Sequence, residues 1–354
     1  MTTADPKKAR GTLFLLSSDA SPRYKQDVLR CLAAPIGSSV QFRYDKIEVS
    51  SVALSSLSGG NAVFPQDGVV CSVASQGIGV LPIVPVRKVS VLNCREHGAT
   101  ISITLRMAEV AIADPSNFTA DLFQLTNQQT PQRSKEGENP KGFYCFEARS
   151  LPAGFQVGTS LEVWEKAVMN LRNQHAYKEE PFFWVTLGVE DEGDELDTDT
   201  LHPWPTFLRP RKDYRLLLYH FQPRDGKRPD STIQATFGES LRTVEPPDIK
   251  IDSRYDLKSW IFSAADNPQR AQKTWLRIRA ADAWDLDLRL TIGPSYLGWL
   301  LRSLVAGPLV AVPAIIALLP QNIDHGTKHA LIWCAIIFGV LATLASTFKL
   351  EKPK

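Results

Sequence analysis

The residues best suited to hold a charged ligand form a basic stretch in the second half of the chain. Its cations are Arg209, Arg211, Lys212, Arg215, Arg224, Lys227 and Arg228. Because arginine forks bind phosphate and carboxylate through parallel hydrogen bonds, we expect the stretch to contact anionic lipid headgroups or a phosphorylated ligand. Alternatively, it forms the solvent-facing side of a hairpin and balances an acidic segment nearby.

That acidic segment covers residues 190–199 and lies shortly before the basic stretch. Its carboxylates are Glu190, Asp191, Glu192, Asp194, Glu195, Asp197 and Asp199. They lack the spacing of an EF-hand and its terminal bidentate glutamate. The pattern is typical of a solvated loop whose charges repel one another, with a cation or partner site as the alternative.

Standard catalytic motifs are missing from the sequence. It contains no G-x-x-x-x-G-K-[ST], G-x-S-x-G, H-E-x-x-H or C-x-x-C pattern. His325 and His329 are four residues apart in a polar turn, which favours solvent exposure over a metal site. The sequence therefore indicates no catalytic residue, cofactor or metal. It leaves open an enzyme whose site is assembled only in three dimensions.

Charge and cysteine content narrow the possible partners. Of the 40 Lys and Arg residues five lie after residue 294, as do two of the 38 Asp and Glu residues, so the preceding part is nearly neutral. A near-neutral domain has no general attraction for polyphosphate, which disfavours generic nucleic-acid binding. The five cysteines are scattered, which is typical of a reducing compartment.

The elements before residue 200 are predicted from periodicity and capping residues. We expect strands at 12–16, 40–49, 143–148 and 181–189, and a hairpin of 83–93 with 100–112. Ser21 and Pro22 indicate a helix over 22–32. Thr159 and Glu162 form a capping box for a helix over 161–175. The result is an α+β domain over residues 1–200.

After residue 200 the pattern changes to short alternating strands. They are expected at 214–222, 233–237, 249–251, 258–263, 275–279 and 284–292. The last of these is the clearest, with apolar residues on one face and Asp285, Asp287 and Arg289 on the other. The pattern predicts a β-sandwich-like domain over residues 201–294.

Two apolar runs close the chain, at residues 296–319 and 330–347. As helices they would be roughly 36 and 27 Å long, against a bilayer hydrocarbon core of about 30 Å. The predicted fold class is therefore a cytoplasmic region that is α+β to mainly β, followed by a C-terminal two-helix transmembrane hairpin over residues 295–354. The alternative is a helical hairpin buried in a soluble core, but soluble helices of this length normally carry a polar face.

Flanking charges and aromatic residues predict how this hairpin would lie in a plasma or inner membrane. Three lysines follow the second run, whereas the connecting turn holds only Lys328, so a multi-pass protein with cytoplasmic termini is expected. The predicted membrane anchors are Tyr296, Trp299, Arg302, Trp333, Phe348 and Lys349.

Small residues recur at four-residue spacing within both apolar runs. They are Gly307, Ala311, Ala335, Gly339 and Thr343. Small residues let helix backbones approach closely, so these positions predict packing of the two helices on each other or between copies of the chain.

These features favour a membrane-anchored sensor or effector. Its β-rich domain would bind a protein or small-molecule signal, self-associate and act through the hairpin, for example by permeabilising the bilayer. The arrangement is similar to that of bacterial defence effectors, by architecture alone. The alternatives are a membrane-localised adaptor or scaffold and a membrane-bound enzyme.

Overall fold

A computed structural model describes the fold of most of the chain before residue 294. The described residues are 11–58, 63–76, 79–126, 132–133, 141–189, 207–210, 212–222, 232–243, 245–251, 253–264, 272–280, 284–293, 329, 332–334 and 336–337. Two compact units are present, one of Met1–Ala265 with Lys273–Thr291 and one of Asp266–Gln272 with Ile292–Lys354. Strands hold 52% of the described residues, so the architecture is mainly β.

The first half of the chain alternates strands and helices. In order they are β1 (Thr12–Ser18), α1 (Pro22–Ala33), β2 (Ser39–Asp45), α2 (Ser51–Ser58), β3 (Gln66–Val73), β4 (Gly79–Val80), β5 (Ile83–His97), β6 (Thr100–Ile112), α3 (Pro115–Thr126), β7 (Gln132–Arg133), β8 (Phe143–Ala148), β9 (Gln156–Gly158) and α4 (Leu161–Arg172). Short 3-10 turns lie at Lys46–Glu48 and His175–Tyr177.

The strands after α4 are connected without a further α-helix up to residue 292 in the described ranges. They are β10 (Phe182–Val189), β11 (Phe207–Leu208), β12 (Asp213–Phe221), β13 (Thr232–Phe237), β14 (Leu241–Thr243), β15 (Asp248–Lys250), β16 (Tyr255–Ala264), β17 (Gln272–Ala280) and β18 (Trp284–Ile292).

The first sheet has the order β2–β6–β5–β3–β1–β8, with β9 on β6. Only β1 and β3 are parallel, and the segment between them contains α1, β2 and α2. The predicted hairpin is confirmed as β5 and β6, which pair from His97 and Thr100 back to Arg87 and Val110. Gly98 has φ +57° in its turn, a conformation that glycine adopts without a Cβ clash.

Each face of the first sheet is covered by helices. Beneath α3 lies an apolar cluster that includes Phe14, Cys71, Phe118 and Phe146. On the opposite face lie α1 and α4. The strands of this sheet are therefore apolar on both faces, as β1 and β3 show by their nearly continuous burial.

Two further sheets follow in the same unit. The second sheet has the order β10–β12–β16–β14 and the third has the order β11–β18–β17–β13–β15. They contact each other through Phe262 of β16 and Phe237 of β13, whose ring centroids are 5.3 Å apart. The strand predicted at 284–292 is confirmed as β18. The predicted domain boundary at residue 200 falls outside the described residues and stays a prediction.

Trp164 of α4 joins the helices to the second sheet. Its indole N–H donates to the carbonyl oxygen of Leu32 at 3.1 Å, which ties α4 to the end of α1. Its ring lies 6.3 Å from that of Trp184 on β10 and 5.7 Å from that of Tyr219 on β12. The helix is capped by Ser160, whose hydroxyl accepts from the Val163 N–H, and not by Thr159 as the sequence predicted.

The predicted transmembrane hairpin is wrong. Among the residues that the structure describes, every helix is too short or too polar to pass through a bilayer. Residues 296–319 lie outside the described part, and of residues 330–347 only 332–334 and 336–337 are described, as helix. The predicted multi-pass membrane location with cytoplasmic termini depended on this hairpin, so it is contradicted by the same finding. The prediction used length and hydropathy, which lipid-facing segments share with segments packed inside a protein.

We expect Trp164→Ala to lower the free energy of unfolding by about 3–5 kcal/mol, because the side chain is fully buried and its removal leaves a cavity. Urea unfolding followed by circular dichroism measures the change. Met169→Ala is the matched control, since this residue of the same helix is 51% exposed and its truncation should cost under about 0.5 kcal/mol. Equal losses would show that α4 does not join the layers through Trp164.

Candidate functional site

The structure describes three cations of the predicted basic stretch. Arg209 is exposed next to β11, and its backbone N–H donates to the Tyr214 hydroxyl at 2.6 Å. Lys212 directly precedes β12, and Arg215 lies within it on the face opposite to that of Tyr214. Because the described cations are divided between a turn and a strand, they do not share one face. Arg211, Arg224, Lys227 and Arg228 lie outside the described residues, and an anion or lipid contact here stays a prediction.

The residues predicted to pack helices or anchor them fall almost entirely outside the described part of the chain. These are Gly307, Ala311, Ala335, Gly339, Thr343, Tyr296, Trp299, Arg302, Phe348 and Lys349. Trp333 is described, lies in a helical segment and is 63% exposed. Among the described residues, no three His, Cys, Asp or Glu side chains lie together as a metal site would need.

A different group stands out inside the first sheet, on the face covered by α1 and α4. One row of side chains crosses this sheet at directly opposed positions of β8, β1, β3, β5 and β6. The row reads Cys145, Leu15, Val70, Arg87 and Val110, and all five are fully buried. Four are apolar or nearly so, and the fifth is an arginine.

A bulge in β5 places Arg87 in this row. Cys71 pairs with Pro85 while its neighbour Val70 pairs with Arg87, so Val86 is the extra residue. The register with β6 shifts again immediately after Arg87. Pro85 has no N–H to give to the ladder, which is a reason for the irregularity at this point. Bulges are frequent beside functional sites because they redirect a side chain.

The Arg87 guanidinium has no hydrogen-bond partner in the described part of the chain. Its Nε, Nη1 and Nη2 atoms are all buried, and none donates to an acceptor there. Burial lowers the pKa of Arg87 to about 10, so the group is charged at neutral pH. A buried cation without a partner costs several kcal/mol in free energy of folding.

The titratable groups that act on Arg87 do not neutralise it. Glu109 is near enough to favour the charged form, but 37% of its side chain is exposed, and its ion pair at 3.9 Å is with Lys88. Cys31 of α1 is the other such group. Since burial raises the pKa of the Cys31 thiol far above neutrality, it is uncharged under ordinary conditions.

Asp27 and Arg30 of α1 are connected to Arg87 through Cys31, because the charges of all three residues act on the Cys31 thiol. Arg30 forms an ion pair with Asp27 and donates to the carbonyl of Gln41. Burial raises the pKa of Asp27 to about 6, against the opposing effect of Arg30. We call Asp27, Arg30, Cys31 and Arg87 the α1 cluster.

The α1 cluster carries an excess of positive charge at neutral pH. The guanidinium of Arg30 is paired with the Asp27 carboxylate, whose charged form is disfavoured by burial. The guanidinium of Arg87 adds a second positive charge that has no hydrogen-bond partner in the described part of the chain. Arg87 offers five N–H donors in a planar fork, the geometry that matches a carboxylate or phosphate. The arrangement is therefore suited to binding an anion and lacks the paired acid and base expected of a proton-transfer site.

Sequence reasoning missed Arg87 because side chains alternate between the two faces of a strand, and an arginine is normally found on the exposed face. The available signal was Pro85 inside an apolar strand pattern, since proline in a central strand indicates a bulge. It indicates where the strand is irregular but not which side chain is turned inward.

Comparison with known proteins does not assign the chain to a family. No family model and no curated protein matches it. Among solved structures, it is similar to the adhesin InvE of Yersinia pseudotuberculosis at 8% identity and a TM-score of 0.18. The match covers 81% of this chain and 61% of the adhesin chain. A TM-score this low shows no shared fold.

We expect Asp27→Asn to change how stability depends on pH. The folded pKa of about 6 lies above the ordinary value of 3.8 for an aspartate, so the unfolded carboxyl loses its proton first as pH rises. Relative to the variant, the wild-type protein should lose about 2 kcal/mol of unfolding free energy between pH 4.5 and 7.

Urea unfolding at a series of pH values measures this difference. The matched control is Asp67→Asn at an exposed position of β3, which leaves the Asp27 carboxyl in place and should therefore keep the loss of unfolding free energy between pH 4.5 and 7. A constant difference between wild type and Asp27→Asn would show that the Asp27 carboxyl is not held in a desolvated environment.

Proposed function

We propose that this chain is a binding module for a small anionic molecule that pairs with Arg87 beneath α1 and α4. The observation that supports the proposal is the fully buried guanidinium with no hydrogen-bond partner among the described residues. The small-molecule signal expected from the sequence is, in this proposal, a phosphate or carboxylate compound.

The energetics of folding favour this interpretation over a purely structural role. A buried ion pair is often no more stable than an apolar replacement, and a buried cation without a partner is less stable still. The rest of the row is filled by Leu15, Val70, Val110 and Cys145. A methionine or leucine at position 87 would continue that row, so the arginine costs stability that a ligand would restore.

The position of Arg87 also suits a sensor. The helices above it are held to each other by the hydrogen bond from Trp164 to Leu32. On their other side α1 contacts β10, and the Trp164 ring of α4 lies against the rings of Trp184 and Tyr219 in the second sheet. An anion drawn to Arg87 must be accommodated between the first sheet and these helices. Its binding would therefore change how α1 and α4 pack, and the second sheet would receive that change through β10.

Thermal unfolding of the full chain with added anions tests the proposal. The probes are sodium phosphate and sodium acetate, each compared with sodium chloride at equal ionic strength. At least one probe should raise the melting temperature of the wild type increasingly with concentration, as binding to the folded state requires. The effect at a concentration 100 times the dissociation constant corresponds to about 2.7 kcal/mol.

Arg87→Met provides the decisive comparison. Without ligand it should be as stable as the wild type or more stable, by about 1–3 kcal/mol, because it removes an unpaired buried charge. It should also lose the response to the probe. Lys88→Met is the matched control, since the neighbouring cation is half-exposed and should leave that response intact.

Two results would overturn the proposal. One is a wild-type protein that responds to neither phosphate nor acetate beyond chloride. The other is an Arg87→Met variant that is less stable than the wild type, since Arg87 would then be a structural residue with its own partners.

A further inference from the structure

The second sheet has an edge that its own strands cover only in part. In the described residues β14 is the outer neighbour of β16, and it pairs only with Phe262, Ser263 and Ala264. The stretch of β16 from Tyr255 to Ser259 pairs with β12 on its inner side. No described strand pairs with its outer side.

Ile261 shows which backbone groups point outward along this edge. Its N–H donates to Oε2 of Glu245 at 2.8 Å, and its carbonyl accepts from the Thr243 hydroxyl at 3.0 Å. Both partners lie on the side away from β12. Because direction alternates along a strand, the N–H and C=O groups of Leu257 and Ser259 also point outward.

The side chains of this edge have the character of an interface. Leu257 is 50% exposed and Tyr255 is 54% exposed on the same face. The intervening Asp256 and Lys258 form an ion pair at 2.8 Å, so the charges do not leave a net repulsive edge. Natural edge strands usually carry an uncompensated charge that deters pairing, which this stretch lacks.

We propose that this edge is an interface with a second copy of the chain, in which two β16 strands pair antiparallel about Leu257. In that register Leu257 lies opposite the partner subunit's Leu257, and each contributes an outward N–H and C=O to a closely spaced pair of hydrogen bonds. The second sheets of the two copies then form one continuous sheet.

Charge complementarity supports a second copy as the occupant. Pairing about Leu257 sets Asp256 opposite Lys258 of the partner subunit, and Lys258 opposite the partner's Asp256. Opposed charges across antiparallel strands stabilise pairing, and like charges destabilise it. The sequence Asp-Leu-Lys is thus complementary to itself in the antiparallel direction.

Shifted registers fit less well. A hydrogen-bonded pair needs two residues whose backbone groups both point outward. The alternative registers are therefore centred on Ser259 or on Tyr255. A pair centred on Ser259 would need the backbone groups of Ile261, which already bond to Glu245 and Thr243. A pair centred on Tyr255 would set Leu257 opposite Ser253 of the partner subunit and so extend beyond the strand, which begins at Tyr255.

Sedimentation of the full chain, with charge-reversal variants, tests the interface. The wild type should dimerise, and Asp256→Lys or Lys258→Glu alone should weaken self-association at least tenfold by opposing like charges. An equal mixture of the two variants should form a dimer again, because each cation of one variant then faces an acid of the other. Both variants lack the internal ion pair, so recovery in the mixture reports contact between chains.

Lys166→Glu is the matched control, since it breaks an exposed ion pair on α4 and should leave association unchanged. Circular dichroism confirms that each variant is folded. A wild type that stays monomeric at 100 μM, or a mixture that associates no better than the separate variants, would overturn the proposal. Both outcomes are independent of anion binding at Arg87.

Discussion

The fold depends on a helical layer that must be apolar on two sides. On one side α1 contacts β1, β3 and β5 of the first sheet, and on the other it contacts β10 of the second sheet. Its buried residues, Tyr24, Asp27, Val28, Leu29, Cys31, Leu32 and Ala33, accordingly cover more of the helix than the single stripe of a surface helix. Trp164 completes the layer by donating a hydrogen bond to α1 and packing its ring against the second sheet. Polar groups within such a layer have little access to water, which makes each of them costly.

Two buried titratable groups show how this packing affects the pKa of a side chain. Burial raises the pKa of Asp27 to about 6 and lowers the pKa of His220, on β12, to about 4. Both shifts favour the neutral form, so His220 is neutral at pH 7, whereas the Asp27 carboxyl takes up its proton only as the pH falls to about 6. Arg87 does not adapt in this way, because even a lowered pKa of about 10 leaves it charged. It is therefore the group for which an external anion changes the energy most.

The sequence predicted local features well wherever one signal dominated. Alternation located β18, and two strand patterns close together in the sequence located the β5–β6 hairpin, because both signals depend on neighbouring residues. The helices α2 and α3 were missed, since Ser51–Ser58 is rich in serine and Pro115–Thr126 has no charged face. The transmembrane hairpin was wrong because hydropathy does not identify the neighbour of an apolar segment. Arg87 could not be assigned, because its burial follows from a bulge and from helices distant in sequence.

A continuous series of contacting elements connects the two proposed contacts. Arg87 lies under α1, which contacts β10; β10 pairs with β12, and β12 pairs with β16 over its whole length. A change in α1 on binding an anion would act first on β10, whereas pairing of two chains fixes β16. Any coupling between them must be reciprocal, so an anion that favours association must itself bind more tightly to the associated form. The hydrogen-bonded strands between the two contacts are the physical route that such coupling would take.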